Sequence, residues 1–587
     1  MFVPVQKNDC VETLLSKKNV IMLASSAVLA ICYDLLIAQP AVAASYPIFL
    51  LGLLSAIYGN TQLLLIKKLS FGWFLTFPLI TLALTRFLFT NEVFLILNSL
   101  AIPVLFIAHV LLVTDSNCHE WSHMGFGKDI VNGLIIRPLQ YITKPFFLIK
   151  ALTRVDNEAS GRQFFVKVLT GIIIFLPVLA VVIMLLSSAD QVFEFFLHTI
   201  LSNININEIA KHLFLIGAVT LLVFSFLWGL NNTKVAQTSC SERVKSFDEI
   251  IVITGLCLLT ILYVLFSVIQ FSYLFGGLSS FLPQNFTYAE YARRGFFELV
   301  AVTLVNVIIV VVSLGFTATS GPLTARILKG LNSALLISTF VMLISAYYRM
   351  SLYEEAYGYT YLRFFTQSFM AMIFVLLWAT FYKVWVDKVN LTKLFLIIGI
   401  ISYVLLNYVN VDEIIAQKNI ARYYQTGVID VNYLAGLSDD VIPYLAALTR
   451  DPDWKIEQSA RQYITEKQTR LSESKAWQGY NLSEQRARKY LTENPVQPRV
   501  FDNVLWKTDK YQRATLVYDL LTTINLAGKS KNEIIDLLGN PELSGPKTNY
   551  YAWPLWSPAS PNGWDKKLWI TFKASGNVDT YGIADRE

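Results

Sequence analysis

The chain has 587 residues, of which 54% are hydrophobic and only 15% charged, with a mean hydropathy of +0.49 and a formal net charge of +6. Soluble domains carry about 25% charged residues, so this composition excludes an ordinary soluble protein. The positive excess lies in residues 1–410, with 26 Lys/Arg and 20 Asp/Glu, whereas residues 411–587 hold 22 of each. The basic residues form no stripe and no recognition motif, which argues against a nucleic-acid partner.

The apolar residues fall in segments long enough to cross a bilayer, for which a helix needs about 20 residues. The first segment follows Lys17 and Lys18 without a small-residue cleavage site, so we interpret it as a retained signal-anchor. The pattern predicts an all-α polytopic membrane bundle of about eleven helices, namely 20–38, 44–66, 71–89, 93–114, 165–187, 212–230, 250–275, 296–317, 331–352, 363–386 and 394–410.

The short connections show on which side each should lie, because cytoplasmic loops are enriched in Lys and Arg. If the N-terminus is cytoplasmic, most basic residues fall inside, and few lie outside. The alternation predicts a multi-pass membrane protein with the N-terminus cytoplasmic and residues 411–587 extracytoplasmic. No cysteine lies in the predicted outer loops or in residues 411–587, so no disulfide framework supports that region.

The longest predicted cytoplasmic loop spans residues 115–164. Its stretch Ile130–Leu152 mixes apolar side chains with Arg137, Lys144 and Lys150. This pattern is typical of amphipathic helices, which either lie on the inner leaflet or cover the ends of the bundle.

Charged residues also collect at the predicted outer ends of the spans, where ionisable groups are costly unless they have a role. Thr287 and Glu290 have capping-box spacing, and Arg294 and Glu298 are one helical turn apart. One interpretation is a polar vestibule or ligand site, and the other is ion pairing that seals helix ends and docks the outer domain. The candidate outer polar cluster consists of Asp190, Glu290, Arg293, Arg294, Glu298, Arg349, Glu354, Glu355, Arg363 and Asp412.

Three stretches carry a family resemblance: YARRGFFEL at 291–299, YRMSLYEEAYG at 348–358 and NVDEIIAQKNI at 410–420. Together they resemble a bacterial multi-pass membrane family known only as a domain of unknown function, of the 4173/4153 type. The resemblance covers roughly residues 160–450. It implies a bacterial envelope protein, and with the predicted spans the expected location is the bacterial inner (plasma) membrane. It brings no established activity or catalytic residues.

The sequence His119-Glu120-Trp121-Ser122-His123 matches H-E-x-x-H. On a helix, this spacing places two imidazoles one turn apart for zinc, with the glutamate as general base. A catalytic site also needs a third protein ligand, for which Asp156 and Glu158 are candidates. Gly125 and Gly127 follow the motif closely, so the helix would end soon after it. We expect no cofactor, with zinc only if this motif is catalytic.

Beyond the membrane part, we predict a helical segment at 411–499 and a small α+β domain at 500–587. The helices are expected near 414–424, 439–448, 454–474 and 511–523, with a capping box at Ser530 and Glu533. Strands are expected near 549–553, 567–573 and 578–583. With LLGNP at 537–541, the order of these elements resembles the SmpA/OmlA-like small lipoprotein fold. The resemblance implies a protein-binding or stabilising module.

Three functional hypotheses follow. The first is a non-enzymatic integral membrane protein whose outward part, residues 411–587, senses or binds an envelope partner. The second is a membrane-embedded zinc metalloprotease that uses His119, Glu120 and His123. The third is a solute or ion transporter that uses the outer polar cluster, although no inverted repeat is evident in the sequence.

Overall fold

The computed structural model describes residues 16–60, 70–152, 171, 175, 178–179, 181–194, 206–232, 247–275, 296–451, 453–496, 501–544, 549–556 and 566–585. The chain divides into two compact units. Unit 1 comprises Met1–Lys418 and Lys475–Leu482, and unit 2 comprises Asn419–Ser474 and Ser483–Glu587. A short segment from the C-terminal part of the chain therefore belongs to unit 1.

Unit 1 is helical. Its long helices are α1 (Lys17–Leu36), α2 (Ser45–Asn60), α3 (Phe71–Leu88), α4 (Glu92–Val113), α8 (Ile206–Asn232), α9 (Glu249–Phe275), α10 (Phe296–Phe316), α11 (Pro322–Tyr357), α12 (Tyr361–Trp385) and α13 (Leu391–Tyr408), and the short helices α5 (Phe126–Val131), α6 (Arg137–Gln140) and α7 (Lys144–Leu152) follow α4. Among the described residues, nine helices are long and apolar enough to cross a membrane. The prediction of a polytopic helical bundle is confirmed. About half of the predicted span 165–187 lies outside the described residues, and the part that is described, including 181–187, is helical.

Helix α11 differs most from its prediction, 331–352. It has 36 residues, about 54 Å at 1.5 Å per residue, which exceeds the hydrocarbon core of about 30 Å. It begins at Pro322, at the position where proline suits a helix start. It ends before Gly358, whose φ of 86° is a conformation that glycine adopts without strain. The apolar stretch therefore predicts where the chain crosses the membrane, but it does not predict where the helix begins and ends.

Two polar contacts show how the first and eighth helices pack. Lys18 Nζ donates to Asn231 Oδ1 over 2.8 Å, and His212 Nδ1 lies 2.6 Å from Asp34 Oδ1. The start of α1 therefore meets the end of α8, and the end of α1 meets the start of α8. The two helices are antiparallel, and a core of buried apolar side chains such as Leu227 lies around them.

The helix connections gather at two ends of unit 1, which we name by one residue each. The Asp412 end contains residues 37–44, 89–91, 358–360 and 409–412, and the His119 end contains residues 114–125 and 386–390.

Helices α5 to α7 fold against the spans. Helix α5 continues through a π-helical turn, Asn132–Ile136, into α6. A Cβ on Gly133 would lie 2.9 Å from Ile107 Cγ2, so the turn packs closely on α4. Leu148 of α7 is fully buried, whereas Leu139 and Phe147 are more than half exposed. These helices are amphipathic, as predicted for 130–152, and their buried side covers the bundle.

The described part of unit 2 contains helices and one sheet. The helices are α14 (Val411–Thr426, which begins in unit 1), α15 (Val431–Ala435), α16 (Ile442–Ala447), α17 (Trp454–Ser472), α18 (Leu482–Glu493, which also begins in unit 1), α19 (Asn503–Thr508), α20 (Arg513–Thr523) and α21 (Lys531–Leu538). Four antiparallel strands, β1 (Leu543–Ser544), β2 (Tyr550–Leu555), β3 (Lys566–Phe572) and β4 (Val578–Asp585), pair in chain order. The Ser530–Glu533 capping box starts α21 as predicted.

The sheet packs on helices α19 to α21 through a core that includes the fully buried Trp506 and Trp553. The three predicted strands are confirmed. Strand β1 was not predicted, because two residues are too few for a recognisable pattern.

Candidate functional site

Asp412 lies where the last membrane helix gives way to α14, and its side chain is completely buried. Its Oδ2 accepts a hydrogen bond from Asn91 Nδ2 over 2.8 Å. Its Oδ1 accepts one from the Tyr361 hydroxyl. Asn91 also caps α4, because its Oδ1 accepts from the backbone N–H of Phe94 over 2.9 Å. One carboxylate thus joins the starts of α4, α12 and α14.

A second buried group centres on Asn98, two helical turns further along α4. Its Nδ2 donates to Thr85 Oγ1 over 3.0 Å and to Asn407 Oδ1 over 2.7 Å. Its Oδ1 accepts from the Tyr403 hydroxyl over 2.6 Å. Amides inside a membrane must find partners in the protein, so Asn98 fixes how α3, α4 and α13 pack.

Glu354 lies near the end of α11 and is only 2% exposed. Its Oε2 accepts a hydrogen bond from Gln367 Nε2 of α12 over 2.6 Å. Its Oε1 is buried without a hydrogen-bond partner among the described residues. Arg363 donates to the carbonyl oxygen of Gly358 and lies 4.4 Å from the ring centroid of Tyr353. The guanidinium is therefore held by the hairpin between α11 and α12.

The structure brings together only part of the predicted outer polar cluster. Glu354 and Arg363 share the α11–α12 hairpin and Arg349 is buried in α11, whereas Glu355 and Glu298 are exposed. Asp190 is exposed and accepts from the backbone N–H of Val192 over 2.8 Å. Three predicted members lie outside the described residues: Glu290, Arg293 and Arg294.

Sequence reasoning missed Asn91, Thr85 and Tyr403. A signal existed for Asn91, since an asparagine directly before Glu92 and an apolar run is a helix N-cap pattern.

The segment Lys475–Leu482, which we call the return segment, contacts the Asp412 end of unit 1. Asn481 Nδ2 donates to the carbonyl oxygens of Arg86 and Phe89 over 2.9 and 3.0 Å. These are carbonyls at the end of α3, where the helix itself supplies no donor. A Cβ on Gly479 would lie 2.6 Å from the Cβ of Ala41, so a glycine is needed for this close approach. The return segment thus holds the α1–α2 and α3–α4 connections.

At the His119 end, residues 119–123 lie in turns and bends instead of a helix. His119 Nδ1 lies 3.2 Å from Asp129 Oδ1, and its backbone N–H donates to Asp129 Oδ2 over 2.8 Å. His123 Nδ1 accepts from the backbone N–H of Gly125 over 3.0 Å. The imidazole rings stack in parallel with centroids 5.5 Å apart.

This geometry differs from that of a zinc protease. Since Nδ1 of His123 accepts a hydrogen bond, its Nε2 carries the proton in the neutral ring and offers no lone pair to a metal. Glu120 Oε1 lies 2.5 Å from Lys393 Nζ, and this hydrogen bond lowers the pKa of Glu120, which is unfavourable for a general base near neutral pH. Among the described residues, no group of three or more His, Cys, Asp and Glu is placed to hold a metal. Asp156 and Glu158 lie outside the described residues.

The same loop instead contacts several helices. Trp121 stacks on Phe71 at the start of α3, with ring centroids 3.7 Å apart. Lys393 at the start of α13 lies 5.5 Å from the Trp121 ring centroid, in addition to its contact with Glu120. The motif residues therefore contact the starts of both α3 and α13.

The apolar helices, joined by buried polar contacts, define a polytopic α-helical membrane protein. Residues 76–448 match the family described as "Domain of unknown function (DUF4153)", and the chain belongs to this family. The family resemblance inferred from the three stretches is thereby confirmed. No curated protein and no solved structure matches the chain. The likeness of the C-terminal domain to the small lipoprotein fold stays a prediction.

Proposed function

We propose that this protein is a non-enzymatic integral protein of a bacterial cell membrane, whose outward-facing C-terminal part binds an envelope partner and transmits that binding to the helical bundle. The observation that carries the proposal is the return segment. It belongs to unit 1, although the chain on both sides of it belongs to unit 2.

The chain consequently passes between the two units three times: after Lys418, before Lys475 and after Leu482. A domain tethered by one linker moves independently by default. Here the first passage follows Asp412 along the continuous helix α14, and the other two flank Asn481, which bonds to the end of α3. A partner that displaces unit 2 therefore acts on fixed points of the bundle.

The distribution of charge supports an outward-facing unit 2. Next to the His119 end, helices α5 and α7 carry Lys128, Lys144 and Lys150, as expected for a cytoplasmic face. The Asp412 end, from which the chain enters unit 2, is at the opposite ends of the same helices, and in this proposal it faces outward.

A photo-crosslinking amino acid in the full-length protein in living cells tests partner binding. Tyr511 in unit 2 is 61% exposed, and Met124 at the His119 end is 97% exposed and provides a matched control. We expect an envelope protein to crosslink at position 511 and not at 124. Equal crosslinking at both positions, or none at 511, contradicts partner binding by unit 2.

The Asn481→Ala variant tests transmission separately. It removes both bonds to the end of α3 and leaves Tyr511 unchanged, so we expect crosslinking at 511 to persist. A cysteine at Ala41, against which Gly479 packs, reports on the bundle through its rate of thiol labelling. We expect partner depletion to change that rate in the otherwise wild-type chain and not in Asn481→Ala. An unchanged rate in both proteins contradicts transmission.

A further inference from the structure

Glu354 stands out because it is buried yet only partly bonded. At 2% exposure it receives one hydrogen bond, from Gln367, while Oε1 has none among the described residues. An ionised carboxylate is an acceptor with room for about four hydrogen bonds, and burial without them is costly. The Glu354 carboxylate needs a further partner that the described side chains do not supply.

The surrounding cations only partly meet this need. Arg363 and Lys418 both attract the carboxylate electrostatically. The guanidinium of Arg363 is committed to Gly358 and to the Tyr353 ring. Neither cation forms an ion pair with Glu354 among the described residues. The other titratable groups beside it, Tyr359 and Glu355, contribute no positive charge.

Asp412 is also a buried carboxylate, but it does not lack hydrogen-bond donors as Glu354 does. Both Asp412 oxygens accept hydrogen bonds, from Asn91 and Tyr361, so that carboxylate is satisfied as an anion. Ser351 does not supply the missing bond to Glu354, because its hydroxyl donates to the carbonyl oxygen of Tyr347 over 3.1 Å.

We propose that Glu354 is a proton-binding site, at which a proton from water bonds reversibly to the buried Oε1. Proton binding neutralises the carboxylate and removes its attraction for Lys418. Lys418 is the last residue of the first stretch of unit 1, on the helix that leads into unit 2. The protonation state of Glu354 therefore changes the electrostatic attraction that acts on Lys418, in the middle of α14. This inference does not require an envelope partner.

Infrared difference spectroscopy of the full chain in lipid nanodiscs, recorded as the pH is changed, detects the protonated carboxyl through its C=O stretch. We expect a titrating carboxyl band in the wild type that is lost in Glu354→Gln, where an amide of the same shape still accepts from Gln367. Glu355→Gln is the matched control, because it alters the exposed neighbour. We expect it to keep the band. A band that persists in Glu354→Gln, or the absence of any titrating buried carboxyl, overturns the proposal.

A second variant covers the case in which Glu354→Gln fails to fold. Lys418→Gln removes a cation that stabilises the ionised form, so the midpoint of the Glu354 titration should move to higher pH. Lys388→Gln, in a connection at the His119 end, should leave the midpoint in place. An unchanged midpoint in Lys418→Gln contradicts the link between proton binding and α14.

Discussion

Replacing Asp412 with alanine should be among the most damaging single changes at the Asp412 end. The carboxylate is fully buried and accepts from Asn91 and Tyr361. The substitution removes the acceptor of both hydrogen bonds, and the contact of 3.2 Å between Asn91 Nδ2 and the Tyr361 hydroxyl oxygen is weaker than the bonds to the carboxylate. Each hydrogen bond to a charged group is worth about 1.5–3 kcal/mol, and a buried donor left unpaired costs about 1–3 kcal/mol. We therefore expect a loss of about 3–5 kcal/mol, in the range for breaking a buried charged contact.

Asp412→Asn removes the negative charge and keeps the shape of the side chain. It keeps one acceptor oxygen and places an N–H₂ group where the other accepted, so we expect about half of the alanine effect. Asp387→Ala is the control. This carboxylate also lies at a helix end, but it is 81% exposed, and its ion pair with Lys329, over 3.3 Å, lies at the surface. A surface ion pair of this kind is worth about 0–1 kcal/mol.

Unfolding in detergent micelles, followed by tryptophan fluorescence, measures the difference in stability between the variants. The midpoints should fall in the order wild type, Asp387→Ala, Asp412→Asn and Asp412→Ala, with only a small step to the first variant. If Asp412→Ala unfolds with the same midpoint as Asp387→Ala, the carboxylate does not hold the three helices together as described.

Three further predictions address other contacts. Gly479→Val should release the return segment, since even a Cβ would lie 2.6 Å from Ala41, and limited trypsin digestion should then cut near Lys475 several times faster than in the wild type. In unit 2, burial tends to raise the pKa of Glu542, but Arg513 and Lys510 outweigh it and hold the pKa below its usual value. Its stabilising effect should be present above about pH 4 and lost as the pH falls further, so thermal unfolding of Glu542→Gln should differ from that of the wild type only at the higher pH. Finally, elemental analysis of the purified protein should find no stoichiometric zinc, because His123 and Glu120 are already engaged by Gly125 and Lys393.

Each of these predictions has a contrasting outcome. Gly399→Ala, in open space within α13, should digest like the wild type, and equal digestion of Gly479→Val would show that the return segment is not held there. A Glu542→Gln effect that grows as the pH falls would reverse the sign derived from the ion pairs. Zinc bound one to one and lost in His119→Ala would restore the protease alternative.

The spans were predictable because length and apolarity are properties of a local stretch of sequence. Where the sequence failed, the cause lies in the packing of distant residues. Asn98 meets Asn407 across 309 positions of sequence, and no local pattern pairs them. Glu354 was recognised as part of a charged hairpin, but its burial follows from the continuation of α11 beyond the apolar run. The charged residues beyond both ends of the apolar run set the limits of the predicted span, although the helix itself continues through them.

The return segment was missed for a related reason. Lys475–Leu482 is a short mixed stretch with a glycine between two helices, and from sequence alone such a stretch is typical of a loop. Its contacts depend on a glycine that allows close approach and on an asparagine that matches the unpaired carbonyls at the end of α3. These are features of shape, and they become visible only when both partners are in place.

The most direct test concerns the side of the membrane on which the C-terminal part lies. Alkaline phosphatase, which is active only outside the cytoplasm, and a fluorescent protein that matures only inside it can each be fused after Glu587. We expect active phosphatase and no fluorescence after Glu587, with the reverse for fusions within the α12–α13 connection at Lys388. A fluorescent fusion after Glu587 would place unit 2 in the cytoplasm and contradict the proposed role.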